Sequence, residues 1–123
     1  MKNRGIIHFS DIEPEIGVRY PDEERRIKGA PRRTTYNYFA NDTDGLSAGT
    51  WSADEGAYRI ALEETKHEFF HILTGRISIT SEDGESTWTF GPGETGIIPP
   101  GFRGVFEIIE AASKFYVVAE RKE

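Results

Sequence analysis

Carboxylates and imidazoles that could bind a metal ion or transfer a proton are concentrated between residues 64 and 71. In a strand, successive side chains point to opposite faces, so Glu68 would share a face with Phe70 while His71 points the other way. This alternation predicts that His67 and His71 are surface or interface histidines. The alternative, a metal-binding histidine, requires a bulge just before His67 that turns its side chain to the face of Glu68.

Lys114 is the candidate partner of Glu68. It precedes a mostly apolar segment, residues 115–118, and a lysine in such a place either reaches solvent at the strand end or pairs with a carboxylate. A tight pair would be purely structural. A loose pair would leave Glu68 as a general base and Lys114 as a contact for an anionic substrate, and both possibilities stay open.

The elements that must position these residues are β-strands. The chain contains 13 isoleucines, 4 valines and 10 threonines against 3 leucines, a β-branched bias that favours pleated, half-buried surfaces. Alternating apolar segments separated by glycine and proline turns recur along the chain, a pattern typical of an all-β sandwich or barrel. The predicted strands are residues 5–9, 34–39, 48–52, 57–62, 68–73, 76–80, 86–90, 95–99, 104–109 and 113–119.

Two local features of this pattern are specific enough to test. A turn is predicted at Thr74-Gly75, between two of the strands. In the hairpin over residues 76–90, Ile77 and Ile79 share one face, and we expect them to meet Trp88 and Phe90 across the two strands.

With 123 residues, the chain is long enough for one domain with its own core. Residues 34–123 are predicted to form that β-domain. Residues 1–33 are predicted to form the first strand and an irregular arm, because three prolines and many charges interrupt any periodicity after residue 9.

The arm is basic and the remainder of the chain is acidic. Residues 41–123 carry 15 Asp and Glu against 7 Lys and Arg, and the chain as a whole has a net charge of −6. The basic residues at the end of the arm are Arg25, Arg26, Lys28, Arg32 and Arg33. We interpret this run as a solvated loop or a partner contact, with an anion or a nucleic acid as the alternative ligand.

Two segments resemble the motifs of the cupin superfamily. Glu68 lies seven positions before Gly75, which is the spacing of the acidic residue and closing glycine in the first cupin motif. Residues 93–101, Gly-Glu-Thr-Gly-Ile-Ile-Pro-Pro-Gly, resemble the second motif, in which a proline and a final glycine form a turn at the barrel mouth. With residues 47–51 and 100–118, the chain resembles the small single-domain cupins that share their domain with (S)-ureidoglycine aminohydrolase, within the RmlC-like superfamily.

The resemblance implies a jelly-roll-like barrel, a cupin double-stranded β-helix, with a polar site inside its open end. Aligning the chain on the motif glycines places Leu62, Glu64, Glu68 and Gly104 at the positions of the metal ligands of related enzymes. At most two of these four can bind a cation. We therefore expect no cofactor and no tight transition-metal site, with weak binding of a hard cation by Glu64 and Glu68 as the alternative.

The inner face of this barrel is expected to form an aromatic-lined pocket for a small molecule. The candidate catalytic residues are Glu68 and Lys114. The candidate substrate-binding residues are Tyr58, Glu64, Phe70, Phe106 and Tyr116.

Two classes of function are compatible with such a pocket. One is metal-free binding of a small polar metabolite, and the alternative is an enzyme of the ureidoglycine aminohydrolase type that acts on a small nitrogen-rich metabolite with Glu68 as acid or base. The absence of cysteine, of a P-loop and of dinucleotide-binding motifs excludes the corresponding chemistries.

The partners expected from the sequence are a small-molecule ligand and a second copy of the chain. The acidic charge disfavours nucleic acid, and no segment approaches the roughly 20 apolar residues of a membrane span. We therefore expect a cytoplasmic homodimer in which the basic arm contacts the acidic partner subunit.

Overall fold

The chain folds as a curled antiparallel β-sheet in a computed structural model, which describes residues 5–122. Within this range the helical elements are two short 3-10 turns, Phe9–Asp11 and Glu23–Arg25. The nine strands are β1 (Glu15–Arg19), β2 (Arg26–Lys28), β3 (Arg33–Asn41), β4 (Leu46–Ala53), β5 (Gly56–Ala61), β6 (Lys66–Ser81), β7 (Thr87–Phe90), β8 (Thr95–Ile98) and β9 (Arg103–Glu120). The prediction of an all-β fold is confirmed.

Two long strands, β6 and β9, form the centre of the sheet. They pair with each other from Lys66 opposite Glu120 to Ser81 opposite Gly104. On the edge away from β6, β9 pairs with β4 and β5. On the edge away from β9, β6 pairs with β8 and β7. Each long strand therefore belongs to both ends of the curled sheet, which brings residues from distant parts of the chain to one concave face.

A bulge in the middle of β6 changes which side chains face inward. Phe70 and Ile72 are fully buried before the bulge, and Ile77 is fully buried after it, although strict alternation would place residue 77 on the outer face. The register with β9 shifts between Ile72 and Ile77, where Gly75 adopts a φ of 80°. Residues 73–76 of β6 lie opposite residues 109–113 of β9, and this irregularity restores the inward direction of the second half of β6.

The predicted turn at Thr74-Gly75 is therefore wrong, because the glycine forms a bulge within one continuous strand. The segments 104–109 and 113–119, predicted as separate strands, are likewise the two halves of β9. The predicted hairpin pairing is confirmed, since Ile77 lies opposite Phe90 and Ile79 opposite Trp88.

The arm contains more regular structure than its sequence predicted. Its strand β1 pairs with β3 at one edge of the sheet, and the short β2 pairs with β5 at the other. The predicted strand at residues 5–9 is wrong, since residues 5–8 carry no regular structure and Phe9 begins a 3-10 turn. Ile6 and Ile7 are 96% and 48% exposed, so the apolar pair that indicated a strand has no sheet to pack against.

None of the helical segments in residues 5–122 has the length and apolar character needed to span a bilayer.

The Gly75 bulge yields a stability prediction. A Cβ at Gly75 would overlap the carbonyl oxygen of Ala111, whereas Gly84, which has a similar φ of 77°, has no neighbouring atom within 4 Å of that position. Gly84→Ala is expected to destabilise the fold by about 1–2 kcal/mol, the cost of a left-handed alanine. Gly75→Ala should cost at least about 2 kcal/mol more, as overpacked sites do. Urea unfolding measures both, and equal losses would contradict a steric role of the bulge.

Candidate functional site

A cavity of about 280 Å³ opens on the concave face of the sheet, and we call it the barrel cavity. Its walls come from β3, β4, β5, β6, β8 and β9, so it exists only once the sheet has curled. The residues that line it are Arg33, Thr35, Trp51, Tyr58, Ile60, Leu62, Glu68, Ile98, Phe106, Lys114, Tyr116 and Val118.

A buried ion pair forms one wall of the barrel cavity. The Lys114 ammonium donates a hydrogen bond to Glu68 Oε2 over 2.7 Å, and the two side chains are 5% and 21% exposed. Strands β6 and β9 place the pair, because Lys114 lies opposite Ile72 and inward side chains alternate along both strands. The ion pair predicted from the sequence is thus formed.

Three aromatic rings surround the same ammonium group. The Lys114 nitrogen lies 4.4 Å from the ring centroid of Trp51 and 5.2 Å from those of both Phe70 and Phe106. Ring faces attract a cation, and the attraction is greatest where water is excluded. The rings and the carboxylate together compensate the loss of hydration that burial imposes on the lysine.

Two tyrosine hydroxyls supply hydrogen-bond donors to the cavity. Burial raises the pKa of Tyr116 to about 12, and the negative charge of Glu68 acts in the same direction. Burial also raises the pKa of Tyr58, an effect opposed by the neighbouring Arg33 guanidinium. Both hydroxyls therefore remain protonated at physiological pH and can donate to a ligand.

The Tyr116 hydroxyl lies 2.7 Å from the side-chain amide of Asn37. When the Asn37 nitrogen occupies this position, it also donates to the carbonyl oxygens of Ala48 at 3.1 Å and Phe39 at 3.3 Å. We adopt this orientation because it pairs the amide N–H groups with acceptors. The hydroxyl of Tyr116 then accepts from the amide, and its own proton is free for a ligand.

The structure brings together most of the predicted site residues. The residues that line the barrel cavity are Tyr58, Glu68, Phe106, Lys114 and Tyr116. The ring of Phe70 lies beneath the Lys114 ammonium at 5.2 Å and lines a neighbouring apolar cavity of about 180 Å³.

Glu64 does not line the barrel cavity, contrary to its predicted place on the inner face. Strand β5 ends at Ala61, so the alternation that would carry Glu64 inward stops before it. The carboxylate is exposed and lies against the turn at Gly101.

Arg33 is the site residue that the sequence analysis missed. It is the first residue of β3, and its guanidinium carbon lies 4.7 Å from the ring centroid of Tyr58. Its Nε is buried and has no hydrogen-bond partner among the described residues. The available signal was its position two residues before Thr35, directly before the predicted strand 34–39, but the basic run around it indicated a solvated loop instead.

The residues at the expected metal-ligand positions do not fit a metal centre. Leu62 is apolar, Glu64 lies outside the cavity, and a cation, Lys114, already binds the carboxylate of Glu68. At Gly104, the ring of Phe102 and the carbonyl of Thr80 occupy the space that a side chain would need. Residues 5–122 contain no cluster of three or more histidine, aspartate and glutamate side chains that could hold a metal ion.

The two histidines near Glu68 lie where the alternation predicted. His67 is exposed, and the Nδ1 of His71 lies 2.8 Å from the Thr95 hydroxyl, across the β6–β8 pair. Its neighbours in sequence show the same alternation, since Phe70 is fully buried and Phe69 is 42% exposed. Neither histidine lines the barrel cavity.

Comparison with known proteins identifies the family of this fold. The family model described as the EutQ-like cupin domain matches residues 40–116. No sequence among the curated proteins matches the chain.

Solved structures share the fold at low sequence identity. A protein of unknown function of the DUF861 family from Pseudomonas syringae is 24% identical with a TM-score of 0.71; the match covers 85% of this chain but only 44% of that protein. The EutQ protein of Clostridium difficile is 21% identical with a TM-score of 0.64, over 80% of this chain and 79% of that one. The Cnp3 cupin domain of Schizosaccharomyces pombe is 19% identical with a TM-score of 0.60, over 72% and 65%.

The ion pair predicts strong energetic coupling between its partners. In a double-mutant cycle, Glu68→Gln or Lys114→Met alone should destabilise the fold by up to roughly 3–5 kcal/mol, because each leaves a buried charge without its partner. The double variant should lose less than the sum of the two. Urea unfolding gives the three values.

The exposed pair Arg103–Glu82 is a matched control, since its side chains are 64% and 69% exposed. The same cycle there should show coupling near zero. Additive losses at Glu68 and Lys114 would contradict the pairing.

Proposed function

The chain belongs to the EutQ-like cupin domain family, and from this premise we propose that it binds a small polar metabolite in the barrel cavity without a transition-metal centre. The observation that carries the proposal is the ion pair between Lys114 and Glu68. The Lys114 ammonium, and not a metal ion, compensates the acidic residue of the first cupin motif, Glu68. Ligand binding would then rely on charged and hydrogen-bonding side chains.

The ion pair leaves part of Glu68 available to a ligand. Oε2 accepts from Lys114, whereas no described residue donates to Oε1, and the side chain keeps one fifth of its surface exposed in the cavity. An acceptor of this kind suits N–H donors of a ligand. The hydroxyls of Tyr58 and Tyr116 would donate to ligand oxygens.

The cavity carries two cations, Arg33 and Lys114, against one carboxylate. This excess of positive charge favours a ligand with an anionic group. A compound that combines a carboxylate with amide-like N–H groups would satisfy Glu68 and the cations together. Such a ligand agrees with the resemblance to the ureidoglycine aminohydrolase group, which we retain as a proposal for the substrate class.

The hydrogen bond from Lys114 favours binding over acid or base catalysis by Glu68. A general base needs a carboxylate oxygen directed at the proton that it removes, and Oε2 already accepts the Lys114 ammonium over 2.7 Å. We therefore place ligand binding before the alternative of an aminohydrolase.

Titration calorimetry with N-carbamoylglycine, glycine and malonate tests this function. We expect saturable binding of N-carbamoylglycine that survives dialysis against a metal chelator. Tyr116→Phe should weaken it by about twofold to tenfold, the value of one neutral hydrogen bond. Tyr38→Phe is the matched control, because Tyr38 stacks on Phe9 and does not line the cavity. Binding by none of the three compounds, or binding that requires added metal, would contradict the proposal.

We further propose that the chain forms a homodimer through strand β1. This strand is at the end of the sheet order, so one of its edges has unpaired backbone groups. Ile16 and Val18 are 60% and 52% exposed along it. A second copy can pair with the same edge across a twofold axis and cover these side chains.

Sedimentation equilibrium tests the dimer and its location. The parent chain should sediment at twice its monomer mass of 13.9 kDa at micromolar concentration. The double variant Ile16→Lys with Val18→Lys should sediment as a monomer. Ile97→Lys serves as the control on the barrel surface, where Ile97 is 63% exposed, and should leave the dimer intact. Dissociation caused by Ile97→Lys alone would contradict the proposed location.

A further inference from the structure

A second cleft lies beside the barrel cavity, between the arm and strand β5. It encloses about 400 Å³, and four of the residues that line it, Arg33, Tyr58, Ile60 and Leu62, also line the barrel cavity. The two spaces are therefore separated only by shared side chains. We call the second one the arginine cleft, after the four arginines in its wall, Arg19, Arg25, Arg33 and Arg59.

The charge of this cleft is opposite to that of the chain. Four arginines and one acidic residue, Asp22, line it in a protein with a net charge of −6. None of the four arginines forms a salt bridge with a residue in the range 5–122. The repulsion among them is therefore not balanced by ion pairs with side chains of the described chain.

The register of the sheet brings two of these arginines to directly opposed positions. Arg19 lies directly opposite Arg33 in the ladder between β1 and β3. Like charges at opposed positions destabilise an antiparallel pair. An anion bound between them would convert the repulsion into two attractions.

Arg33 supplies an independent indication of a ligand. Its Nε is buried without a hydrogen-bond partner among the described residues, although buried polar groups are nearly always hydrogen-bonded. Because Arg33 lines both spaces, an acceptor that reaches it stands at the boundary between the arginine cleft and the barrel cavity.

The cleft is formed by contacts within the chain. The Arg26 Nε donates to the carbonyl of Pro21 over 2.9 Å, and Arg59 donates to the carbonyl of Glu24 over 3.5 Å. Arg26 also lies opposite Tyr58 in the pairing of β2 with β5. These contacts tie the turn that carries Arg25 to the edge of the barrel, so the arginines are positioned before a ligand arrives.

We propose that the arginine cleft binds the phosphate group of a small phosphorylated metabolite, whose polar remainder passes Arg33 into the barrel cavity. A guanidinium group matches phosphate oxygens with two parallel hydrogen bonds. With four arginines and one aspartate, the cleft has an excess of three positive charges. This excess suits a phosphate dianion better than a single carboxylate. This inference rests on the proposed function for the nature of the remainder, whereas the phosphate site itself does not.

Inorganic phosphate is the probe, titrated into the full chain by calorimetry at constant ionic strength. We expect saturable binding with one site per chain. Arg25→Gln and Arg59→Gln should each weaken it by about tenfold, the value of a hydrogen bond between charged groups. Both residues are exposed, and urea unfolding will show whether each variant keeps the stability of the parent.

Arg32→Gln is the matched control. Arg32 belongs to the same basic run and precedes Arg33, but it lines a different depression on the surface, so its loss should leave phosphate affinity unchanged. If Arg32→Gln and Arg25→Gln weaken phosphate binding equally, the effect comes from net charge alone and the site is overturned. Absence of saturable phosphate binding would overturn it as well.

Two further measurements separate this inference from the proposed function and from a polymeric ligand. Tyr116→Phe should leave phosphate binding unchanged, because Tyr116 lines the barrel cavity and not the arginine cleft. If the parent chain binds phosphate but not N-carbamoylglycine, the arginine cleft stands and the proposed function is refuted. The reverse result would refute the cleft alone. A short single-stranded oligonucleotide that binds more tightly than phosphate, and with the same arginine dependence, would assign the cleft to nucleic acid instead.

Discussion

The burial of one ammonium group is the constraint on which the concave face of this protein depends. Lys114 is 4% exposed, and a charge that has lost its water must find compensation within the fold. Glu68 supplies the opposite charge, and Trp51, Phe70 and Phe106 supply ring faces. These four residues come from β4, β6 and β9, so the compensation is complete only when the three strands have paired in register. A slip of one residue in any of these pairings would turn the lysine or its partners to the other face and leave the charge without compensation.

Much of this face could be predicted from the sequence because its rules are local. Alternation along a strand placed Phe70 on the face of Glu68, the motif spacing placed Glu68 in the barrel, and the apolar segment beside Lys114 indicated a lysine that pairs or reaches solvent. The failures come from information that is not local. A glycine next to a threonine indicates a turn, and only the register with β9 distinguishes that turn from the bulge at Gly75. Glu64 was placed by extending an alternation beyond the end of its strand.

The arm shows the same limit more clearly. Strand β2 has three residues and β1 has five, all of them exposed. The short alternation of Ile16 and Val18 in β1 is too brief to indicate a strand among the surrounding prolines and charges. Their existence depends on backbone pairing with β5 and β3, at opposite ends of the sheet order. Arg33 was missed for this reason, because a basic run without visible structure is typical of a solvated loop. In the folded chain the run is divided, and Arg32 and Arg33 face different surfaces.

The bulge at Gly75 also fixes which residue the chain must have in the middle of β6. Ile72 and Ile77 are five positions apart, an odd number, so a regular strand of the same length would turn one of them to solvent. The bulge corrects this phase, and both side chains reach the core. The correction requires a positive φ at position 75 and no side chain beside the Ala111 carbonyl. Evolution of this domain is therefore free to change the neighbouring side chains, whereas homologous chains that keep the bulge should keep glycine at this position.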